Sequence, residues 1–274
     1  MSEHDGYQPG VPCWVASVQP DAEHAARFYA GLFGWEVANL MPAESPGKYF
    51  LCRLRGRDVA AVVSPHGAPP PPAPVWSTHI WVDDADESAA RVAEMGGRVL
   101  GDAFDSPGGG RMAVVADPAG AVFCLWQPTE RRGAQVINEP GAWTMSQLNT
   151  RDLEGAKRFY GAVFGWETDT FEMDGGEFTL WRVPGYVGGV PQQPVSREVV
   201  ATMLPMGGGR FGDDVPPHWS VEFWVDDTDA VAARAAELGG GVVVAPHDAP
   251  SFRQAVLTDP QGAVFGVSTL RLPS

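Results

Sequence analysis

The chain has 274 residues and a net charge of −15, with hydrophobic residues making up 44%. That is enough for two domains with cores of their own, and too apolar for a disordered chain. No apolar run reaches the ~18 residues that a membrane span needs, and the acidic balance repels a phosphate backbone. The one short basic cluster, Arg131-Arg132, is too small to reverse that, so neither nucleic acid nor a membrane is expected as a partner.

In chain order, Cys13 to Val18 alternates as a strand, and Asp21 caps a helix with Ala25, Phe28, Tyr29 and Leu32 on one face. Gly34 stops that helix. Strands follow near Trp35–Ala38, Lys48–Leu54 and Val59–Val63. A second unit repeats the plan: a strand over Val75–Val82, a helix over Asp86–Met95 ended by Gly96-Gly97, then strands near Arg98–Ala103, Arg111–Ala116 and Val122–Gln127. Asp117-Pro118-Ala119-Gly120 has the composition of a tight turn between the last two.

The same landmarks then recur. DAEHAARFYAGLFGWE from Asp21 answers DLEGAKRFYGAVFGWE from Asp152. WVDDADESAARVAEMGGRV from Trp81 answers WVDDTDAVAARAAELGGGV from Trp224, and DPAGAVF from Asp117 answers DPQGAVF from Asp259. Repeats in one order mark a duplication of a whole domain, with 1–130 as the first copy, 131–140 as a linker and 141–274 as the second. The first landmarks stand 131 residues apart and the WVDD landmarks 143, so the second copy has gained about a dozen residues between Gly189 and His218. That Gly- and Pro-rich stretch reads as an irregular loop, either a lid or a solvated connector.

This order of motifs resembles the vicinal oxygen chelate superfamily: glyoxalase I, bleomycin- and fosfomycin-resistance proteins and extradiol dioxygenases. The resemblance covers nearly the whole chain. It implies an α+β fold of two tandem domains, each of paired βαβββ units whose sheet curls around a cavity.

Metal-dependent members of that superfamily place a His at the start of the first strand, a His or Gln at the start of the fifth and a Glu on the eighth. Counting from Phe28, Val82 and Gly120 puts Trp14, Ser77 and Cys124 at those places, and Met145, Ser220 and Gly266 in the second copy. These sets lack the converging imidazoles and carboxylate that a divalent ion needs, so the expectation is no metal and no cofactor. Residues two apart share a strand face, which adds His79, Trp81 and Trp126 to the first cavity. In the second copy it adds Gln147, Glu222, Trp224 and His218, while Trp181 lies on a strand whose face stays open.

Tryptophans with a few polar groups suit a flat apolar ligand, although aromatics more often fill a core. His79 and Glu222 share one register position and are candidates for acid/base work or for structural hydrogen bonding. The leading expectation is a metal-free protein that binds a flat, largely apolar metabolite or drug, as bleomycin-resistance proteins do. The competing one is an enzyme, either through His79 or Glu222 or through displaced metal ligands such as His218 with Glu222.

Three cysteines, Cys13, Cys52 and Cys124, read as small buried hydrophobes in a reducing compartment. The polar, acidic start Met1 to Asp5 lacks the basic and apolar parts of a signal peptide, giving a cytoplasmic expectation. A monomer or homodimer is expected.

Overall fold

The computed structural model describes residues 4–65, 70–173, 176–188, 195–207 and 211–271. In the first half β1 (Pro12–Val18) leads into α1 (Ala22–Phe33), followed by β2 (Glu36–Asn39), β3 (Tyr49–Leu54) and β4 (Arg57–Val63). Next come β5 (Val75–Trp81), α2 (Ala85–Glu94), β6 (Arg98–Val99), β7 (Phe104–Ser106), β8 (Gly110–Ala116) and β9 (Val122–Pro128). The second half repeats this with β10 (Trp143–Thr150), α3 (Leu153–Phe164), β11 (Glu167–Met173), β12 (Gly176–Arg182) and β13 (Val199–Pro205). It closes with β14 (His218–Trp224), α4 (Thr228–Glu237), β15 (Gly241–Ala249), β16 (Phe252–Thr258) and β17 (Val264–Leu270).

Each half forms one sheet, in the orders β2-β3-β4-β1-β5-β9-β8-β6 and β11-β12-β13-β10-β14-β17-β16-β15. The central three strands pair in matching register. Trp14 lies opposite His79, and His79 opposite Cys124; Met145 lies opposite Glu222, and Glu222 opposite Gly266.

The helices form where their caps dictate. Asp21 accepts from the His24 amide, Asp152 from the Gly155 amide, and Gly34 and Gly165 end α1 and α3 at φ 71. Only a residue without Cβ takes that left-handed turn at little cost.

The two sheets meet through their helix-bearing faces, so their cupped faces look outward. Thr78 Oγ1 and Ser146 Oγ lie 2.7 Å apart across the seam, and the Trp76 and Phe223 rings meet edge to face at 5.0 Å. Each helix leans on the other half. Phe28 and Tyr29 pack on Phe265, while Phe159 and Tyr160 pack on Phe123.

The Tyr29 hydroxyl donates to Asp259 Oδ2 at 3.0 Å and accepts from the Trp76 indole; Tyr160 does the same with Asp117 Oδ2 and Trp219. The other oxygen of each aspartate holds its own turn, Asp117 Oδ1 accepting from Gly120 and Ala121, and Asp259 Oδ1 from Gln261 and Ala263. The D-P-x-G motif is therefore a turn and an inter-half clamp at once. The tryptophan after each F-G also crosses: the Trp35 indole donates to Gly141 O and the Trp166 indole to Gly10 O, both at 2.7 Å.

Two expectations need correction. The stretch between Gly189 and His218 is not one loop, because β13 runs through it as the counterpart of β4. Residues 183–198 join β12 to β13 where Arg55 and Gly56 suffice between β3 and β4, so much of the added length lies there. Residues 189–194 and 208–210 of that stretch lie outside the described residues. The strand expected over Arg98–Ala103 is cut short at Val99 as β6, with Gly101 at φ 149 before the separate β7.

The segment 131–140 between the halves is held against the first half. The Ala134 amide donates to Cys13 O and the Gln135 amide to Asp58 O, and Val136 and Ile137 are buried. The three cysteines are buried and unpaired, and no helix among the described residues is long and apolar enough to cross a membrane.

Candidate ligand-binding site

In the first half the cupped face is filled. Trp14, Ser77, His79, Trp81, Cys124 and Trp126 all point to it from β1, β5 and β9, and all are buried. The Trp14 indole bonds the Tyr49 hydroxyl. The Trp126 indole donates to Arg131 O at 3.3 Å, and Tyr7 and the Arg132 guanidinium lie against Trp81. The tip of the β7–β8 hairpin closes the cup. A Cβ at Gly108 would stand 2.2 Å from the Tyr49 hydroxyl, and one at Gly110 2.4 Å from the Trp126 ring, so glycines alone fit there.

At the centre the Ser77 hydroxyl donates to Ala16 O at 3.0 Å and stands 3.1 Å from His79 Nε2. This network assigns the imidazole proton to Nε2 and makes Nδ1 a buried acceptor without a partner among the described residues. Burial lowers the His79 pKa to about 3, because a charged imidazolium would lose its hydration there. The Cys124 thiol, sharing a hydrogen bond with Ser77, is pushed up to about 12 by the same cause.

In the second half the same face is open. Met145, Gln147, His218, Ser220, Glu222, Trp224 and Gly266 are half-buried. Position by position, Met145 replaces Trp14, Gly266 replaces Cys124 and Ser268 replaces Trp126, each a loss of bulk. Glu222 leans over Gly266, where a Cβ would stand 3.3 Å from its Cγ. Burial raises the Glu222 carboxyl, opposed by hydrogen bonds to Ser268 and Gln254. Gln254 on β16 was not legible as a site residue, although it pairs with Ser268 in the register that faces the cup.

Beside Glu222 runs a polar ladder. His218 Nδ1 bonds Pro216 O at 2.9 Å and its Nε2 meets Asn149 Nδ2 at 3.3 Å, which assigns the proton to Nδ1. Asn149 Oδ1 accepts from Gln147 Nε2 at 2.9 Å, and Asn149 Nδ2 also donates to Ser220 at 3.2 Å. His218 and Glu222 therefore do not form a pair. Four residues apart on one strand, they stand about 13 Å apart along β14. Trp181 is turned the other way, with its ring 5.6 Å from Tyr160 and 5.4 Å from Trp166 on the helix side. Alternation left its face open, and the packing on α3 decides it.

The donor sets do not suit a divalent ion. The first cup offers one neutral imidazole and one thiol held protonated; the second offers one carboxylate and a histidine engaged elsewhere. Among the described residues no group of three His, Cys, Asp or Glu side chains converges. A hard or borderline ion needs several deprotonated donors at one point.

The sequence matches the glyoxalase-like domain twice, over residues 14–126 and 145–268. It is 38% identical over 271 residues to a protein of Mycobacterium bovis provisionally named glyoxylase CFP32, covering 97% of each chain. It is 36% identical over 277 residues to the anthracycline biosynthesis protein DnrV of Streptomyces peucetius, covering 97% of this chain and 95% of that one. In fold it is similar to the Mn(II)-bound glyoxalase of Novosphingobium aromaticivorans, with a TM-score of 0.62 at 17% identity over 96% of this chain and 82% of that one. It is also similar to 2,2',3-trihydroxybiphenyl 1,2-dioxygenase of Sphingomonas wittichii, with a TM-score of 0.60 at 13% identity over 96% and 91%. The duplicated βαβββ sheets, their paired cups and these matches converge: the chain belongs to the glyoxalase-like family of the vicinal oxygen chelate superfamily.

Proposed function

We propose that this chain is a metal-free binding protein that holds a flat, largely apolar, aromatic small molecule in the cupped face of its second half. The observation that carries this reading is the contrast between the cups: one backbone, filled by tryptophan in one copy and opened by Met145, Gly266 and Ser268 in the other. Trp224 and Met145 supply an apolar wall, and Gln147, Ser220, Glu222 and Gln254 supply a few polar groups to orient what lies on it. A Glu222 carboxyl raised by burial keeps more of its proton than an exposed one and so can donate to a ligand oxygen. Two relatives named for anthracycline biosynthesis support an aromatic, polycyclic ligand. The protein would act in the cytoplasm as a monomer or homodimer.

Titration of tryptophan fluorescence with 1,8-dihydroxyanthraquinone tests the reading. Saturable quenching that weakens about tenfold in Trp224→Ala, and not in Trp81→Ala, is expected. Absence of saturation in the wild type overturns it, as does a stoichiometric transition metal in protein purified without chelator.

A second reading rests on the same carboxyl. A raised Glu222 within an open cup can act as a general acid or base on the bound molecule. Turnover abolished in Glu222→Gln with binding retained would favour this enzyme reading over simple binding.

A further inference from the structure

A small cavity of about 30 Å³ lies where the two halves and the segment between them meet, lined among others by Val11, Ile137, Trp143, Met145, Tyr186 and Val200. That volume accommodates about one or two water-sized groups. Met145 belongs both to this cavity and to the open cup. Trp143 is 4% exposed, and its indole nitrogen is buried without a hydrogen-bond partner among the described residues. The position is unique to the second copy, since Pro12 stands there in the first and has no side-chain donor.

The indole is held in place by its surroundings. Asn138, at φ 57, donates its amide to Trp143 O, and Thr144 Oγ1 donates to Asn138 Oδ1. Tyr186 lies over the same cavity, buried, with its hydroxyl pushed up to about 12 by that burial. A buried N–H with no acceptor is costly, and a fixed donor beside a small cavity that Asn138, Thr144 and Tyr186 also line favours what relieves it. Among small groups, a carbonyl oxygen brings an acceptor and no proton of its own to be satisfied.

We infer that this cavity is a subsite for a ketone or quinone carbonyl of the ligand, with Trp143 Nε1–H as its donor. The inference rests on the second cup as the binding face. It adds that one end of the ligand is an oxygen acceptor, and it gives Trp143 the role of a specificity-determining residue. The segment between the halves then takes part in recognition as well as in joining the copies.

The test compares 9-fluorenone with fluorene, two flat tricyclic probes that differ by the carbonyl oxygen. Both are titrated against the wild type and Trp143→Phe, which keeps a ring and removes the N–H. In the wild type fluorenone is expected to bind about three- to tenfold more tightly than fluorene, the span of one net hydrogen bond. In Trp143→Phe the two affinities are expected to become equal, with fluorene unchanged.

Should the variant fold poorly, the Trp143 indole ¹H–¹⁵N resonance of labelled wild-type protein gives the same answer. It should move on adding fluorenone and stay on adding fluorene. A preference for fluorenone that survives in Trp143→Phe, or an indole resonance that responds alike to both probes, overturns the subsite and leaves the cup reading standing. Failure of both probes to saturate overturns the cup reading, and the subsite with it.

Discussion

Trp14, Trp81 and Trp126 fill the cup of the first half, whereas Met145, Trp224 and Ser268 stand at those positions in the second. The strands beneath them pair in the same register, so the difference lies in side chains and not in backbone. Removing bulk at the first and last strands of the half opens a face, and adding Gln147 and Glu222 where Ala16 and His79 stand makes it polar. The cupped face of one copy has become core, and that of the other stays open. The contrast teaches that in this duplicated chain the fold and the lining of the cup are separable, because one strand register carries either a packed face or an open one.

That contrast can be broken most forcefully by truncation. Trp126→Ala should cost about 3–5 kcal/mol of stability in urea unfolding, the usual range for a buried Trp. Trp224→Ala on the half-buried face should cost less than half of that. Equal losses would mean that both cups are filled.

The next largest effect is the pH dependence of His79. Its pKa is depressed in the fold to about 3 against an ordinary value of 6.5. The stabilisation from keeping it neutral is therefore complete above about 6.5 and lost as pH falls toward 3, at up to about 1.4 kcal/mol per pH unit. Unfolding measured between pH 7 and 4 should show that slope in the wild type and a shallower one in His79→Gln. An unchanged slope would remove the buried imidazole from the account.

Glu222 has the opposite sign. Its pKa is raised, so its contribution is present below the ordinary carboxyl range and lost as pH rises through the raised value. Glu222→Gln should raise stability at pH 7, and the gain should vanish in acid. A destabilised variant at pH 7 would show that the carboxylate is the form the fold uses.

Smallest is the difference between the two clamps. Asp259 Oδ2 accepts from Gln19 at 2.6 Å as well as from Tyr29, whereas Tyr160 alone is bonded to Asp117 Oδ2 among the described residues. Tyr160→Phe should therefore cost about 1–3 kcal/mol, and Tyr29→Phe about 1 kcal/mol less. Equal costs would show that Gln19 does not compensate.

Much of this architecture was legible in the sequence because the second copy repeats every landmark of the first. Asp21, Gly34, Asp152 and Gly165 cap their helices as their residue types require. β13 was hidden because VVATM is an uninterrupted buried run, which carries no period of two. Alternation says only which residues share a strand face, and not what that face packs on. For Trp181 the side was set by Tyr160 and Trp166. The filling of one cup and not the other followed from bulk at Trp14 and Trp126, but its closure by Gly108 and Gly110 needed the hairpin tip in place. The crossing of Phe28 to Phe265 and of Trp35 to Gly141 left no local signal, since each partner lies in the other copy.

Those crossings tie the history of the two copies together. A gene duplication ordinarily frees its products to part and diverge alone. Here each copy's first helix is seated on the other's last turn, so neither inherits a complete interior. Fission between Pro128 and Trp143 would yield two fragments that find their fold in each other's company, and selection sees a substitution at Phe28 or Phe159 as a change to both. The two cups were free to differ because the seam behind them was not.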